Sequence, residues 1–160
     1  MGLPKFWTEE DVKDAVRAAD NASYLFLGAI ALRILNRMRS ERPAAIIAIV
    51  CGPITDGGTL GKREVMENLS RFDKKIQRLE EWGFLVFNQL PFEKYMSKIR
   101  RKRPAEDPNI LLEGFYRLLF ESGIINIAYF LPNSQKSSHG ARWEKKLAKS
   151  LKMPCIENCV

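Results

Sequence analysis

Seven residues near the C-terminus carry the types that chemistry needs: Ser138-His139-Gly140-Ala141-Arg142-Trp143-Glu144. A hydroxyl and a glycine open a helix there, and a carboxylate follows within its first turns. Free N–H groups at a helix start attract anions, so this spacing sets a carboxylate beside an anion-binding turn. A carboxylate in such a place can serve as nucleophile or general base. A second turn, Cys51-Gly52-Pro53-Ile54-Thr55-Asp56-Gly57-Gly58, follows an apolar run. Its glycines let a ligand approach the backbone closely. It is no Walker loop, because Gly61-Lys62 is followed by Arg63 rather than Ser or Thr. Nor does it have the dinucleotide-binding spacing.

Alternating strands and helices must position these turns. Thr8 with Asp11 three residues on reads as a helix start, and Val12, Val16 and Ala19 continue at helical spacing. A second helix is expected over Ser23 to Arg39, and Pro43 closes the region. Ala44 to Cys51 (AAIIAIVC) reads as a strand buried on both faces. Val65, Leu69, Phe72, Ile76 and Leu79 form one stripe of a helix over Glu64 to Trp82, with Gly83 as its cap. Phe84 to Asn88 is a second strand. Pro91 to Pro108 is the least regular segment and holds the basic run Lys98 to Arg103. A helix over Asn109 to Glu121, a third strand over Ile124 to Leu131, a helix over Ala141 to Leu151 and a short strand over Met153 to Glu157 complete the chain. This pattern predicts an α/β fold: a Rossmann-like open parallel sheet of four to five strands flanked by helices, with an N-terminal helical extension. The expected division is 1–42 as that extension and 43–160 as the α/β domain. Ligands of such sheets bind beyond the carboxyl ends of the strands, where both turns fall.

The chain has 160 residues, 46% of them hydrophobic, which suits a globular domain. Net charge is +7, which favours anionic partners. The three cysteines, Cys51, Cys155 and Cys159, and the single His139 offer no full zinc set. They read as free thiols of a reducing compartment, with no disulfide framework. No metal and no cofactor is expected. The longest apolar window, Tyr24 to Leu35, is interrupted by Arg33 and too short to span a bilayer, so no membrane association is expected. The acidic Thr8-Glu9-Glu10-Asp11 leaves no leader pattern, and a cytoplasmic protein is predicted.

Ile49 to Gly58, together with Ser138-x-Gly140-x-x-x-Glu144-x-x-x-Ala148, resembles the nucleoside deoxyribosyltransferase superfamily. The nearest likeness is to the 2'-deoxynucleoside 5'-phosphate N-hydrolases, over roughly residues 44–157. The resemblance implies that Glu144 attacks the sugar C1' and expels the base, and that water or a second base then resolves the ester. Transferases carry Asp where this chain has Ser138; the nucleotide hydrolases carry serine there, which helps bind the 5'-phosphate. The implied substrate is therefore a small-molecule nucleotide or nucleoside. Substrate contacts would come from Cys51, Gly52, Pro53, Ile54, Gly57, Gly58, Ser138, Gly140 and Trp143. The family's catalytic acid lies in the helix before the third strand, where Glu113 is the nearest carboxylate. Family members share pocket residues within dimers, so a homodimer is implied. The chain departs from the hydrolase pattern at Pro53, where they have serine, and at Thr55, near their arginine; Asp56 adds negative charge. Two other readings stand beside the enzyme. One is a nucleotide-binding sensor or interaction module of the same fold without catalysis. The other is nucleic-acid binding through Lys98 to Arg103, where a solvated charge run is the more ordinary expectation.

Overall fold

The computed structural model describes residues 2–55, 58–104, 107, 109–134 and 138–157. Asp56, Gly57, Pro108 and Cys159 lie outside the described residues. The chain divides into two compact units: a helical one from 1–44 and 89–124, and a sheet-bearing one from 45–88 and 125–160.

Four parallel strands form the sheet: β1 (Ile47–Cys51), β2 (Leu85–Val86), β3 (Ile127–Phe130) and β4 (Cys155–Ile156), in the order β2-β1-β3-β4. Every residue of β1 is buried, as a central strand with neighbours on both edges requires. The ladder sets Ala48 opposite Val86 on one side and Ile127 on the other. The strands are shorter than the apolar runs that predict them. Ala44 to Ile46 precede the β1 ladder, and Ile46 is half exposed, although its carbonyl accepts from Leu85 N at 3.0 Å. The Asn126 side chain accepts from Ile47 N at 2.9 Å, and Asn126 N donates to Ile47 O at 2.8 Å, so one residue closes both groups where β1 begins.

Helix α3 (Lys62–Glu81) joins β1 to β2 and packs on both strands. Phe72, Ile76 and Leu79 are buried on its inner stripe. It ends in a Schellman motif: Gly83 at φ 94° donates to Glu80 O and Phe84 N donates to Leu79 O, both at 3.0 Å. The left-handed φ is why glycine stands there. Buried Lys75 lies 5.4 Å from the ring centres of Trp82 and Tyr129, which satisfies its charge against aromatic faces.

After β2 the chain enters the helical residues 89–124 and returns as β3 on the opposite edge of β1. The expected boundary at residue 42 assigns 89–124 to the sheet domain; by contacts these residues group instead with 1–44. Their partners there are α1 (Glu9–Asp20) and α2 (Tyr24–Glu41), which begin as the sequence predicts, on Thr8 with a capping box to Asp11 and on Ser23. Buried Asp11 accepts from Arg33 Nε at 2.9 Å and Arg37 Nη1 at 2.8 Å, tying α1 to α2. Pro91 to Pro108, read as irregular, contains a ten-residue helix α4 (Glu93–Lys102). Tyr95, Met96 and Ile99 are buried along it, and this stripe is hard to see among so many charges. The helix over 109–121 (α5) contains a π-helical stretch, Leu112–Tyr116. Gly28 and Gly114 lie where it meets α2; a Cβ on Gly28 would stand 3.0 Å from Gly114 O.

The basic run belongs to α4 and its end. Lys98 pairs with Asp20, Lys102 donates to Asp20 O at 2.7 Å, and Arg103 donates to Ala22 O at 3.0 Å. Three of its cations thus face the C-terminus of α1, the negative end of that helix. Among the described residues no helix is long and apolar enough to cross a membrane.

Replacing Asn126 by Ala leaves the buried Ile47 N–H without its side-chain acceptor. The expected loss is about 1–3 kcal/mol in urea unfolding, with helical content kept.

Candidate functional site

The connections in the sheet reverse direction at β1, which pairs with β2 on one edge and β3 on the other. In open parallel sheets such a switch point opens a crevice beyond the strand ends. Cys51 is the last residue of β1 and Phe130 the last of β3. Leu131 N donates to Cys51 O at 3.0 Å, carrying the pairing one residue further. Gly52 follows immediately, and a Cβ there would lie 3.0 Å from Leu131 Cδ1. Glycine is the residue that lets the chain pass this side chain without pushing it aside. The turn is then anchored at Ile54, whose carbonyl accepts from the buried Asn68 amide of α3 at 3.1 Å. Gly58, at φ 85°, donates to Thr55 O at 3.0 Å. Ile54 is buried and Pro53 half-buried; Gly57, expected at the site, is outside the described residues.

The last helix, α6 (His139–Ser150), starts on Ser138, whose Oγ accepts from Ala141 N at 3.1 Å. Ser138 is buried and caps the helix, a structural duty that the sequence leaves unassigned. Its hydroxyl proton is not used in that bond. Gly140 and Trp143 are half-buried, and His139 is exposed. Ala141, Glu144, Leu147 and Ala148 form the buried stripe, so the carboxylate occupies a core-facing position.

Glu144 is 5% exposed. Its Oε2 has no hydrogen-bond partner. Burial raises its pKa to about 8, and the Cys51 thiol offsets part of that rise. The thiol is pushed well up, by burial first and by the facing carboxylate second. The neighbouring cation does not neutralise the pair: Lys145 bonds Glu157 instead. A buried polar atom left unsatisfied costs stability, and a strongly shifted carboxyl at a strand end is the pattern of functional sites. Ser134, just beyond β3, has a buried hydroxyl without a partner.

The sequence-derived residues therefore divide. Cys51, Gly52, Ile54, Ser138 and Glu144 belong to the sheet-bearing unit, where the Glu144 carboxyl acts electrostatically on the Cys51 thiol. Glu113 belongs to the helical unit, where Arg117 clasps its carboxylate through both Nε and Nη2. Its side chain is half exposed, and its surroundings are those of a helix-surface ion pair. Glu93 was not legible as special. It is half-buried, and desolvation raises its pKa to about 7 despite Arg100. A single charged residue at a helix start carries no sequence signal of that kind. A shallow depression along Lys62, Arg63, Met66, Glu67 and Ser70 of α3 includes none of the candidate residues. Among the described residues no cluster of three His, Cys, Asp or Glu is placed to hold a metal ion.

Comparisons with protein-family models, curated proteins and solved structures find no match.

Between the ordinary carboxyl value of 4.5 and about 8, the folded chain keeps a proton on Glu144 that the unfolded chain has released. This contribution to stability is therefore complete below the lower value. It is lost as pH rises towards the upper one, by at most about 1.4 kcal/mol per pH unit. Glu144→Gln holds a neutral group throughout. Urea unfolding at pH 5 and pH 8 is expected to show the wild type losing more stability than this variant.

Proposed function

We propose that the chain is an N-glycosidase that cleaves the base–sugar bond of a nucleotide or nucleoside, with Glu144 as nucleophile. On this reading it belongs with the nucleoside deoxyribosyltransferase superfamily, nearest the nucleotide N-hydrolases. The observation that carries it is the buried Glu144 carboxyl, with its Oε2 unpartnered.

The reaction balances as two displacements. A lone pair of the Glu144 carboxylate forms a bond to C1', and the C1'–N bond breaks with its electron pair leaving on the base. The base takes one proton from water or an acid. Water then adds at C1' of the glycosyl ester, releases the sugar with a new hydroxyl, and returns the carboxylate. Positive charge develops on the sugar ring in both steps, and a desolvated carboxylate stabilises it more strongly than one in water. The Gly52 turn and the start of α6 would hold the sugar and any 5'-phosphate, with the basic composition favouring an anionic substrate.

A ligand-binding module without turnover is the second reading. Pro53 favours it, because proline offers no N–H to a phosphate, and so does the high Glu144 pKa, which keeps the carboxyl largely protonated at neutral pH. Chromatography of free base released from a panel of deoxynucleoside monophosphates and nucleosides separates the two. The enzyme is expected to release base, and Glu144→Gln to lower the rate by about a thousandfold or more. Because attack requires the ionised group, kcat/KM is expected to rise about tenfold per pH unit below pH 8 and to level above it. Binding without release, or release that survives Glu144→Gln, removes the nucleophile assignment.

A further inference from the structure

We propose that the Ser134 hydroxyl is a substrate-binding group that recognises a hydroxyl of the sugar ring. The inference rests on the glycosidase reading, and deepens it by naming a residue that reads the sugar. Ser134 is 1% exposed, and its Oγ has no hydrogen-bond partner. It lies just beyond β3, on a loop that meets the turn after β1. Leu131 N donates to Cys51 O at 3.0 Å, and the Leu131 side chain is the one that Gly52 clears. The loops leaving β1 and β3 flank the switch point, where an open parallel sheet takes its ligand.

The turn that carries Ser134 does not need this hydroxyl. Ser134 N donates to Leu131 O at 3.1 Å, closing a turn over Leu131 to Ser134. Pro132 stands second in it, and Asn133 stands third at φ 61°. A type II turn asks for those two features: a proline-fixed φ, then a left-handed residue, which asparagine tolerates. Only the backbone N–H of the fourth residue completes it, so alanine there would serve the turn equally. Other serines have structural bonds for their hydroxyls. Ser23 and Ser138 cap helices, and Ser122 and Ser150 donate to carbonyls at 2.7 Å. Ser134 does neither.

The placing of unsatisfied groups points the same way. Among the described residues of the sheet-bearing unit, the buried side-chain atoms without partners are Ser134 Oγ and Glu144 Oε2. Both belong to the connection between β3 and β4. A buried polar atom left unpaired costs stability, so two in one connection call for a ligand's groups. The chemistry of the first selects its partner. A serine hydroxyl is uncharged and has one donor and two acceptor sites. A sugar hydroxyl has the same inventory, so either can donate to the other. A phosphate calls for cations or several N–H groups, which suits the start of α6 better than a single hydroxyl.

The first test concerns the free protein. Ser134→Ala removes a group without a partner, so its thermal midpoint is expected to equal or exceed that of the native chain. Calorimetric titration then compares ribonucleoside, 2'-deoxynucleoside and 2',3'-dideoxynucleoside 5'-monophosphates. The full chain carries Glu144→Gln here, so that no probe is consumed. Probes lacking the recognised hydroxyl are expected to bind about tenfold more weakly. A step between ribo and deoxy probes assigns the 2'-hydroxyl, and one between deoxy and dideoxy probes assigns the 3'-hydroxyl. Adding Ser134→Ala is expected to abolish the step and leave all three probes at the weaker affinity. Ser134→Cys, a weaker donor of similar shape, is expected to fall between. A midpoint lowered by about 3 °C or more, or an alanine variant that does not fold, gives the hydroxyl a structural duty and overturns the proposal. So does a step that persists in folded Ser134→Ala, or the absence of any step while Ser134 is present. Base release is measured separately in the native chain. Its absence alongside a Ser134-dependent step refutes the glycosidase reading alone, whereas base release without such a step refutes the Ser134 assignment alone.

Discussion

The buried carboxyl group of Glu144 is the constraint around which the sheet-bearing unit is arranged. Burying an ionisable group costs free energy unless it is neutralised or paired. Here the remedy is incomplete, because one carboxyl oxygen has no partner. The chain keeps this cost beside several well-anchored polar groups. Asn126 closes the start of β1, Asn68 holds Ile54, and Ser138 caps α6.

Its neighbours explain how the cost is sustained. β1 is buried along its whole length and paired on both edges, so Cys51 has little freedom to move. Helix α6 is held at its start by the Ser138 cap and along its inner stripe by Ala141, Leu147 and Ala148. These small and aliphatic side chains let the helix sit close to its support and carry Glu144 inward. Gly52 allows the chain to turn away from β1 past Leu131. Among the described residues no charged group acts to lower the pKa of the Glu144 carboxyl. A proton on that carboxyl stabilises the fold, whereas nucleophilic attack requires the proton to leave. Folding and the proposed chemistry therefore pull its ionisation in opposite directions.

The helical unit shows the opposite treatment of charge. Asp11 is buried but engaged by two guanidinium groups and by the Thr8 N–H, which donates to its carboxylate. These bonds lower its pKa against the upward pull of burial. Lys98, Lys102 and Arg103 turn to the end of α1, giving the most conspicuous basic run a structural task. Trp7, Phe92 and Phe115 pack in sequence, with ring centres 4.7 and 5.2 Å apart, and form the apolar centre between these polar ties.

Periodicity and caps are local properties, and the sequence by itself determined them. The unbroken apolar run before Cys51 specified a doubly buried strand, the stripe from Val65 to Leu79 specified α3, and Gly83, Thr8 and Ser23 marked helix ends through their own backbone and side-chain chemistry. The parallel α/β architecture followed from that alternation. Helix α4 escaped because its three buried residues are diluted by lysines and arginines, which say nothing of which face they leave. The grouping of 89–124 with 1–44 escaped because contacts between distant segments leave no local pattern. Glu144 was visible as a residue type in a suggestive spacing, and its place between Ala141 and Ala148 already put it on the inner stripe. Only the tertiary structure decided that Glu144 is withdrawn from water with one oxygen unpartnered, that Lys145 goes to Glu157, and that Glu113 is clasped by Arg117. Hydrogen-bond partnership and desolvation depend on atoms brought together across the fold, and these set the ionisation of a carboxyl far more than its neighbours along the chain.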